Sequence, residues 1–384
     1  MIQRWRQLPL GLRATVLLLS TLALLLGVEL WAQQQAPRLP TWTTPDGSST
    51  LMNGHPSRLW GMAEGTRDNA GATATINRLG LRGPVPEVPR PPGRQRLLLL
   101  GDSAFFGHGV ADHETLSAQL QARLQTRGID ADVVNAAVAG YSIAQSRLLM
   151  EEVGWALQPT MVLYASLWSD NTFDAFPDED LLRSRRLAQH NPLVRSAAFR
   201  LLAARLSRSK LVVWRPEEGW PTGRVRRVPL DRFIALTDEL IRDGARRSVG
   251  AAFILPTNRT LLTLDPREAD SPRSPSRFWQ PYFAAQEALA ACHGVPSVAL
   301  TPAFHDAGHT EDDLFLDLMH PTPLGQALTA EAIDAALQAS GWPGRLLIGD
   351  GTPCDLGHIE DVPAPEWSSD QRSPQQRLFV SEPR

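Results

Sequence analysis

The chain has 384 residues, of which 43% are hydrophobic, and a formal net charge of −3 at pH 7. This is enough apolar material for one full core with additions, and so small an acidic excess argues against a nucleic-acid partner. The 31 prolines indicate long loops and extended segments around that core.

Three arginines, Arg4, Arg6 and Arg13, precede an apolar run over residues 14–28 that continues to Ala32. The stretch is about 19 residues long, close to the roughly 20 that cross a bilayer. Arginines on its N-terminal side predict that this end lies in the cytoplasm. The flank after the run lacks a small-x-small cleavage site, so an uncleaved signal-anchor is favoured over a cleaved signal peptide and over a buried helix. The sequence thus predicts a single-pass protein of the cytoplasmic (inner) membrane, with its main domain on the extracytoplasmic, periplasmic side.

Residues 33–93 are polar, with scattered glycine, proline and threonine and short β-like pieces such as 73–77. We expect an irregular or β-rich lead-in that packs against the main domain, and no chemistry is assigned to it. Its end, PVPEVPRPPG at residues 84–93, is typical of a short stiff connector.

From residue 96 onward, predicted strands alternate with predicted helices. This alternation predicts an α/β three-layer sandwich, with helices on both faces of a five-stranded parallel sheet. The predicted strands are 96–103, 132–138, 161–166, 251–255 and 295–300, and the predicted helices are 114–127, 142–157, 229–247, 283–292 and 322–340. The expected division is a signal-anchor (1–32), a lead-in (33–93), an α/β domain (94–342) with a helical insertion (172–227), and a C-terminal tail (343–384).

The first strand runs directly into a candidate nucleophile. Four consecutive leucines, 97–100, indicate a strand that is buried on both faces. They are followed by Gly101, Asp102 and Ser103. Ligands of open α/β sheets bind at the carboxyl ends of the strands, so Ser103 stands where a nucleophile is useful. The alternative is an ordinary turn that ends the strand.

A candidate acid–imidazole pair lies far downstream. Asp317 and His320 are three residues apart, on a loop that enters the last predicted helix, for which Thr322 is the N-cap and Pro323 the first residue. A carboxylate that holds one ring nitrogen of a histidine leaves the other free to deprotonate a serine. Taken alone, the pair is equally compatible with an ordinary surface Asp and His.

Together, GDS after the first strand and DxxHP before the last helix resemble the GDSL/SGNH hydrolase superfamily, over roughly residues 96–342. The resemblance implies an SGNH, flavodoxin-like sheet. It also implies that Ser103 is the nucleophile, His320 the general base and Asp317 the acid that orients it.

The superfamily also has two markers for an oxyanion hole. A glycine after the second strand is matched by Gly140, whose N–H would act beside that of Ser103. The superfamily has a GxND segment after the third strand, whose Asn side chain is a further donor, and this segment is altered here. If the chain is aligned by the length of the third strand, Ser169 takes the Asn position and Asp170 follows it. If the alignment is shifted by two residues, Asn171 supplies the amide instead. Both alternatives stay open, and an absent donor costs about 10²–10³ in kcat.

The resemblance implies a serine esterase or acyl hydrolase. Its compartment suggests an ester-bearing small molecule, an O-acylated cell-envelope glycan or a lipid as substrate. The alternatives are an O-acyltransferase with the same triad and a catalytically silent, membrane-tethered scaffold that binds glycan. No cofactor is expected. His305 and His309 have the spacing of metal ligands, but their segment looks like a loop and not a helix, so no metal is expected either.

Two further features are secondary to the site. The chain has two cysteines, Cys292 and Cys354, and an even count in an oxidising compartment favours a disulfide that ties the tail to the domain. The insertion contains a predicted basic, leucine-rich helical stretch over 181–211. We expect it to pack on the side of the sheet; the alternative is a lid beside the active site that faces the membrane, because its arginines could meet anionic lipid. These arginines are Arg183, Arg185, Arg186, Arg195 and Arg200.

Overall fold

The computed structural model describes residues 9–35, 51–205, 225–264 and 275–362. The strands are β1 (Met52–His55), β2 (Leu59–Met62), β3 (Gly65–Asn69), β4 (Ala72–Ile76), β5 (Gln95–Gly101), β6 (Ala131–Asn135), β7 (Met161–Ala165), β8 (Phe173–Asp174), β9 (Val225–Arg226), β10 (Gly250–Leu255) and β11 (Ser297–Ala299). The α-helices are α1 (Leu10–Gln35), α2 (Ser103–Phe106), α3 (Leu116–Thr126), α4 (Ile143–Leu149), α5 (Asp178–His190), α6 (Pro192–Arg195), α7 (Ala197–Arg205), α8 (Leu230–Arg246), α9 (Arg259–Thr263), α10 (Gln280–His293), α11 (Leu300–Asp306), α12 (Glu311–Leu314) and α13 (Pro323–Ala339).

The centre of the molecule is a five-stranded parallel sheet in the order β11-β10-β7-β5-β6. Leu97 of β5 pairs with Val133 of β6 on one side and with Met161 of β7 on the other. The four leucines of β5 are fully buried because helices cover both faces. This is the flavodoxin-like order, whose switch point between the first and third strands is a usual ligand site. The predicted fold class is confirmed.

The helices divide between the two faces of the sheet. Connections between parallel strands are right-handed, so the direction of each connection across the sheet decides which face its helix covers. The chain moves one way from β5 to β6, which places α3 on one face. It moves the other way through β7, β10 and β11, which places α4, α8 and α10 on the opposite face. Contacts agree with this division, since α3 packs against α13 while α8 packs against both α4 and α10. The insertion begins on the second face, where α5 contacts α4.

The helical stretch predicted for 181–211 is divided into separate helices. Three helices, α5, α6 and α7, cover its described part, and residues 206–211 lie outside the described residues. The break after α5 has a local cause: Asn191 is extended, its side chain accepts a hydrogen bond from the Leu193 N–H, and Pro192 begins α6. Hydrophobic content predicted the helical state, but the cap and the proline divided it.

Other boundaries moved by smaller amounts. The helix predicted for 142–157 is α-helical only to Leu149 and continues as a π-turn, Met150–Gly154, and a 3₁₀ turn, Trp155–Leu157. The fifth strand is limited to β11, because Leu300 already begins α11. The segment between β10 and α10 contains the short helix α9 in its described part.

The lead-in is β-rich in its described part, as predicted. β1 pairs with β2 and β3 with β4, each antiparallel, and β4 covers the predicted 73–77 piece within one residue. A bridge between Arg82 and Asn135 joins this segment to β6 of the main sheet.

Helix α1 is, among the described residues, the one helix long and apolar enough to cross a membrane, with a mean hydropathy of 2.0. That is a statement of length and composition, which a signal sequence also satisfies. At the other end of the chain, Cys292 on α10 and Cys354 form a disulfide. The predicted pairing is confirmed, and it ties the segment after α13 to the domain.

Candidate active site

Ser103 is the first residue of α2, directly beyond the carboxyl end of β5. Asp102 is the N-cap, and its Oδ1 accepts a hydrogen bond from the Ala104 N–H at 3.2 Å. Gly101 is required by close packing, since a Cβ there would lie 2.9 Å from the Cβ of Phe105. The strand, the tight turn and the cap together fix the backbone of Ser103.

The structure brings the three candidate triad residues together. Ser103 Oγ lies 2.8 Å from Nε2 of His320, although the two residues are 217 positions apart. Nδ1 of the same ring lies 2.6 Å from Oδ2 of Asp317. The His320 side chain is 15% exposed and that of Asp317 51%, so the imidazole is mostly buried and the carboxylate faces solvent.

The loop before α13 holds the acid in place. Oδ1 of Asp317 accepts hydrogen bonds from the backbone N–H groups of Met319 and His320, both at 2.9 Å. Partial burial works to raise the pKa of Asp317, but the hydrogen bonds from the His320 ring and these two N–H groups outweigh it and hold the pKa below its usual range. Asp317 is therefore an anion that can orient the ring and stabilise its charged form.

Gly140 has a left-handed backbone, with φ of 76°. An added Cβ would lie 3.4 Å from the ring of Trp60, so both conformation and space favour glycine. Its carbonyl accepts a hydrogen bond from Arg227 at 2.8 Å. Within the described part of the chain, neither the Gly140 N–H nor the Ser103 N–H has a hydrogen-bond acceptor. Both N–H groups are free for an oxyanion.

Ser169 and Asn171 have different surroundings. The N–H and the hydroxyl of Ser169 both donate to Oδ2 of Asp102, at 3.1 and 3.4 Å, so this residue touches the nucleophile turn. The carbonyl of Asn171 accepts from Arg226 at 2.6 Å. The amide nitrogen of Asn171 is buried and has no partner among the described residues. Neither side chain contacts Ser103 itself.

Two buried carboxyl groups lie behind the nucleophile. Asp102 is bound by Ser169, and Asp170 accepts the Ile143 N–H at 2.7 Å. Burial raises the pKa of Asp102, and burial raises the pKa of Asp170 to about 8. Their hydrogen bonds join the turns that follow β5, β6 and β7.

Sequence reasoning missed the residue that organises the loop after Ser103. Arg82 is buried and donates to the carbonyl oxygens of Phe106, Gly107 and Val110 at 2.7–3.0 Å. The side chain of Asn69 donates to two of the same oxygens. In the sequence, Arg82 is only an arginine in the lead-in, to which no chemistry was assigned. Nothing in the sequence indicates which groups the guanidinium of so long a side chain contacts.

A second histidine, His108, lies beside the candidate triad. Its ring packs against that of His320, with centroids 4.4 Å apart and planes at 43°. Burial lowers the pKa of His108, and the neighbouring His320 lowers it further. The second histidine of the site is thus a neutral ring against one face of the first.

No metal site emerges among the described residues. Asp238, His293 and Cys354 are the one group there close enough to hold an ion. Cys354 is in the disulfide, and His293 is held by Asp238 and by the carbonyl of Asp350. The group is a structural hydrogen-bond cluster. His305 and His309 are not part of any such group.

Neither a protein-family model nor a curated protein matches the chain. Among solved structures it is similar to LAE5, an α/β hydrolase enzyme from the metagenome of Lake Arreo, Spain, with 18% identity over 64% of this chain and 95% of the other and a TM-score of 0.42. It is also similar to Axe2, an acetylxylan esterase from Geobacillus stearothermophilus, with 17% identity over 65% of this chain and 94% of the other and a TM-score of 0.41. A third similar structure is a protein assigned to the G-D-S-L lipolytic family from Desulfitobacterium hafniense, with 14% identity over 63% of this chain and 99% of the other and a TM-score of 0.40. At these identities and TM-scores the function has to be argued from the side chains of the site.

Proposed function

We propose that this chain is a serine esterase of the GDSL/SGNH type, with Ser103, His320 and Asp317 as its triad. The observation that carries the proposal is the unbroken hydrogen-bond chain from Ser103 Oγ through the His320 ring to the Asp317 carboxylate. A hydroxyl, an imidazole and an anionic carboxylate in this order are what general-base activation of a serine requires.

In the proposed reaction, Nε2 of His320 takes the proton of Ser103 as Oγ attacks the acyl carbon of an ester. The imidazolium that forms is stabilised by Asp317, and the tetrahedral oxyanion accepts hydrogen bonds from the N–H groups of Ser103 and Gly140. His320 then gives its proton to the departing alcohol. Water, deprotonated by the same ring, attacks the acyl-enzyme and releases the acid.

For the third oxyanion donor we favour Ser169 over Asn171. Ser169 is hydrogen-bonded to the turn that bears Ser103, and its hydroxyl would exchange Asp102 Oδ2 for the oxyanion. The buried amide nitrogen of Asn171 has no hydrogen bond among the described residues that ties it to this turn. We expect Ser169→Ala to lower kcat by up to about 10² with little change in KM, and Asn171→Ala to have the smaller effect. A larger loss of kcat in the Asn171 variant would reverse the assignment.

The nucleophile is tested on the full chain in detergent with p-nitrophenyl acetate. Ser103→Ala should abolish turnover, while Ser340→Ala, at the end of α13, should retain it. A fluorophosphonate probe should label the peptide that carries Ser103, as read by mass spectrometry. Full activity in the Ser103 variant would overturn the proposal, and neither turnover nor labelling in the folded wild-type protein would favour the silent glycan-binding scaffold.

The acyl acceptor is the remaining question of reaction type. If water is the acceptor the protein is a hydrolase, and if a sugar hydroxyl is the acceptor the same residues make an O-acyltransferase. We propose hydrolysis of acylated cell-envelope glycans or lipids, in keeping with anchoring by α1 in the cytoplasmic membrane and an extracytoplasmic site. Product analysis with an acylated donor and a free oligosaccharide separates released acid from transferred acyl groups.

A further inference from the structure

The apolar helix α1 carries one acidic residue, Glu29, and its carboxylate is bound by the insertion. It accepts hydrogen bonds from Ser196 Oγ at 2.7 Å and from the backbone N–H groups of Ala197 and Ala198 at 2.7 and 3.1 Å. Glu29 thereby caps the N-terminus of α7, where an anion is favoured. One turn further along α1, Ala32 is fully buried in a small cluster with residues of α7.

The position of Glu29 along α1 fixes the depth of α7. The fifteen residue steps from Ala14 to Glu29 span about 22 Å at 1.5 Å per residue, and the hydrocarbon layer is about 30 Å thick. With Ala14 at the inner boundary, Glu29 therefore lies about 8 Å below the outer boundary, within the ~5–10 Å depth to which interfacial helices are buried. A carboxylate at that depth is costly unless it is hydrogen-bonded. Since its partners are the first residues of α7, these residues must lie at the same boundary.

Residues 181–205 of the insertion have the composition of an interfacial surface. Between residues 181 and 205 there is no acidic residue. Leu193 and Leu202 are 59% and 56% exposed, beside the exposed Arg195. Cationic side chains next to exposed large apolar ones are typical of helices that lie in the headgroup region of anionic membranes. The arginines of this stretch are Arg183, Arg185, Arg186, Arg195, Arg200 and Arg205.

We propose that α6 and α7 dock on the membrane helix through Glu29 and lie in the headgroup region of an anionic leaflet, as a second membrane contact of this protein. The inference rests on the proposed anchoring by α1 and not on the esterase activity. It gives the insertion a role other than simple packing on the sheet.

The test uses spin labels on the full chain in nanodiscs of phosphatidylcholine, with and without phosphatidylglycerol. Both native cysteines are in the disulfide, so one introduced cysteine is the one labelling site. Leu193→Cys and Leu202→Cys probe the surface, Leu22→Cys probes the bilayer centre, and Gln338→Cys on α13, on the opposite face of the sheet, is the aqueous control. The depth of each label is reported by the ratio of its accessibility to oxygen, which enters the bilayer, to its accessibility to a nickel chelate, which stays in water.

We expect the ratio of oxygen to nickel accessibility at 193 and 202 to exceed that at 338 several-fold in discs with phosphatidylglycerol, and to fall when that lipid is absent. Ratios at 193 and 202 equal to the ratio at 338, with the 22 label buried, would overturn the inference and leave the anchor intact. Nickel access at 22 would overturn both. Equal ratios in the two lipids would overturn the preference for an anionic surface.

A second pair of variants tests the contact itself. Glu29→Ala should move the 193 and 202 labels toward water, because the cap that fixes α7 at the boundary is lost. Gln34→Ala, on the exposed side of α1 near its end, is the matched control and should leave them unchanged. Labels that stay at the same depth without the Glu29 carboxylate would show that it does not dock the insertion.

Discussion

The face of the His320 ring is covered by a second imidazole, that of His108, at a centroid distance of 4.4 Å. Aromatic pairs of this kind contribute about 0.5–1.5 kcal/mol, which here would keep the catalytic ring in its productive orientation. We expect His108→Ala to lower kcat/KM by about 2- to 12-fold at neutral pH. His108→Phe, which keeps a flat ring, should retain most of the activity.

The control for that prediction is His113→Ala, which removes an exposed histidine of the following turn. Its kcat/KM should equal that of the wild-type protein. If the Phe and Ala variants at position 108 lose activity equally, a ring nitrogen and not the shape of the ring is what His320 requires.

A second property of a single residue is the raised pKa of Asp170. Burial raises this pKa to about 8, against an opposing hydrogen bond from the Ile143 N–H, whereas the ordinary value is 3.8. The fold therefore prefers the protonated carboxyl, and this stabilisation is complete below about pH 4 and is lost as the pH rises through about 8. Asp170→Asn keeps an acceptor for Ile143 and removes the titration.

We accordingly expect the free energy of unfolding of the wild-type protein to fall between pH 5 and pH 8 more steeply than that of Asp170→Asn. Urea denaturation of both proteins at pH 5 and pH 8 measures this free energy. The test is whether the wild-type protein loses more stability than Asp170→Asn between the two pH values. Parallel pH dependences in the two proteins would show that the Asp170 carboxyl is ionised throughout the range in the folded state.

Among the elements, the β-rich lead-in supports the site even though it contributes no reacting group. Arg82 binds three carbonyl oxygens of the loop after α2 and forms an ion pair with Asp112 at 2.8 Å. Hydrogen bonds to charged groups contribute about 1.5–3 kcal/mol each. We expect Arg82→Gln to reduce the free energy of unfolding by at least about 2 kcal/mol and to lower kcat.

Arg78→Gln is the matched control, because Arg78 is exposed and belongs to the same segment. Thermal unfolding and esterase assays on both variants separate loss of the loop from general loss of charge. Unchanged stability in Arg82→Gln would mean that the loop after α2 is held by Asn69 and the main sheet alone.

At the scale of the whole molecule, the disulfide ties the segment after α13 back to α10. The bonded cysteines are 62 positions apart. Closing a loop of that length in the unfolded chain corresponds to about 4 kcal/mol in the chain-entropy model. We expect a Cys292→Ser, Cys354→Ser double variant to unfold at a markedly lower temperature, with esterase activity at 25 °C retained.

Treatment of the wild-type protein with a reductant should reproduce that shift, and the same reductant should leave the double variant unchanged. An identical melting temperature before and after reduction would show that the tail adds nothing to stability. The result also bears on the compartment, since a stabilising disulfide is typical of proteins folded outside the cytoplasm.

Composition predicted the helical state of residues 181–211 but not where the helices end. The Asn191 cap and Pro192 separate the first helix of this stretch from the second. Thr322 and Pro323 correctly predicted the start of the last helix, because the preferences for a cap and for a first-turn residue depend only on neighbouring residues. A cap and a proline can therefore be recognised from the sequence alone. The same signal is overlooked when the composition around it favours a continuous helix, as around Asn191 and Pro192.

The sequence by itself determined the parallel sheet, because an unbroken apolar strand and the glycine at its end are local properties. Its resemblance to the GDSL/SGNH motifs also led to the proposal of Ser103, Asp317 and His320 as a triad. Only the tertiary structure decided that Ser103 and His320 meet, that Arg82 holds the loop beside them, and that Glu29 binds α7. Each of these contacts joins residues that are distant along the chain, and where a long side chain ends depends on how the elements pack.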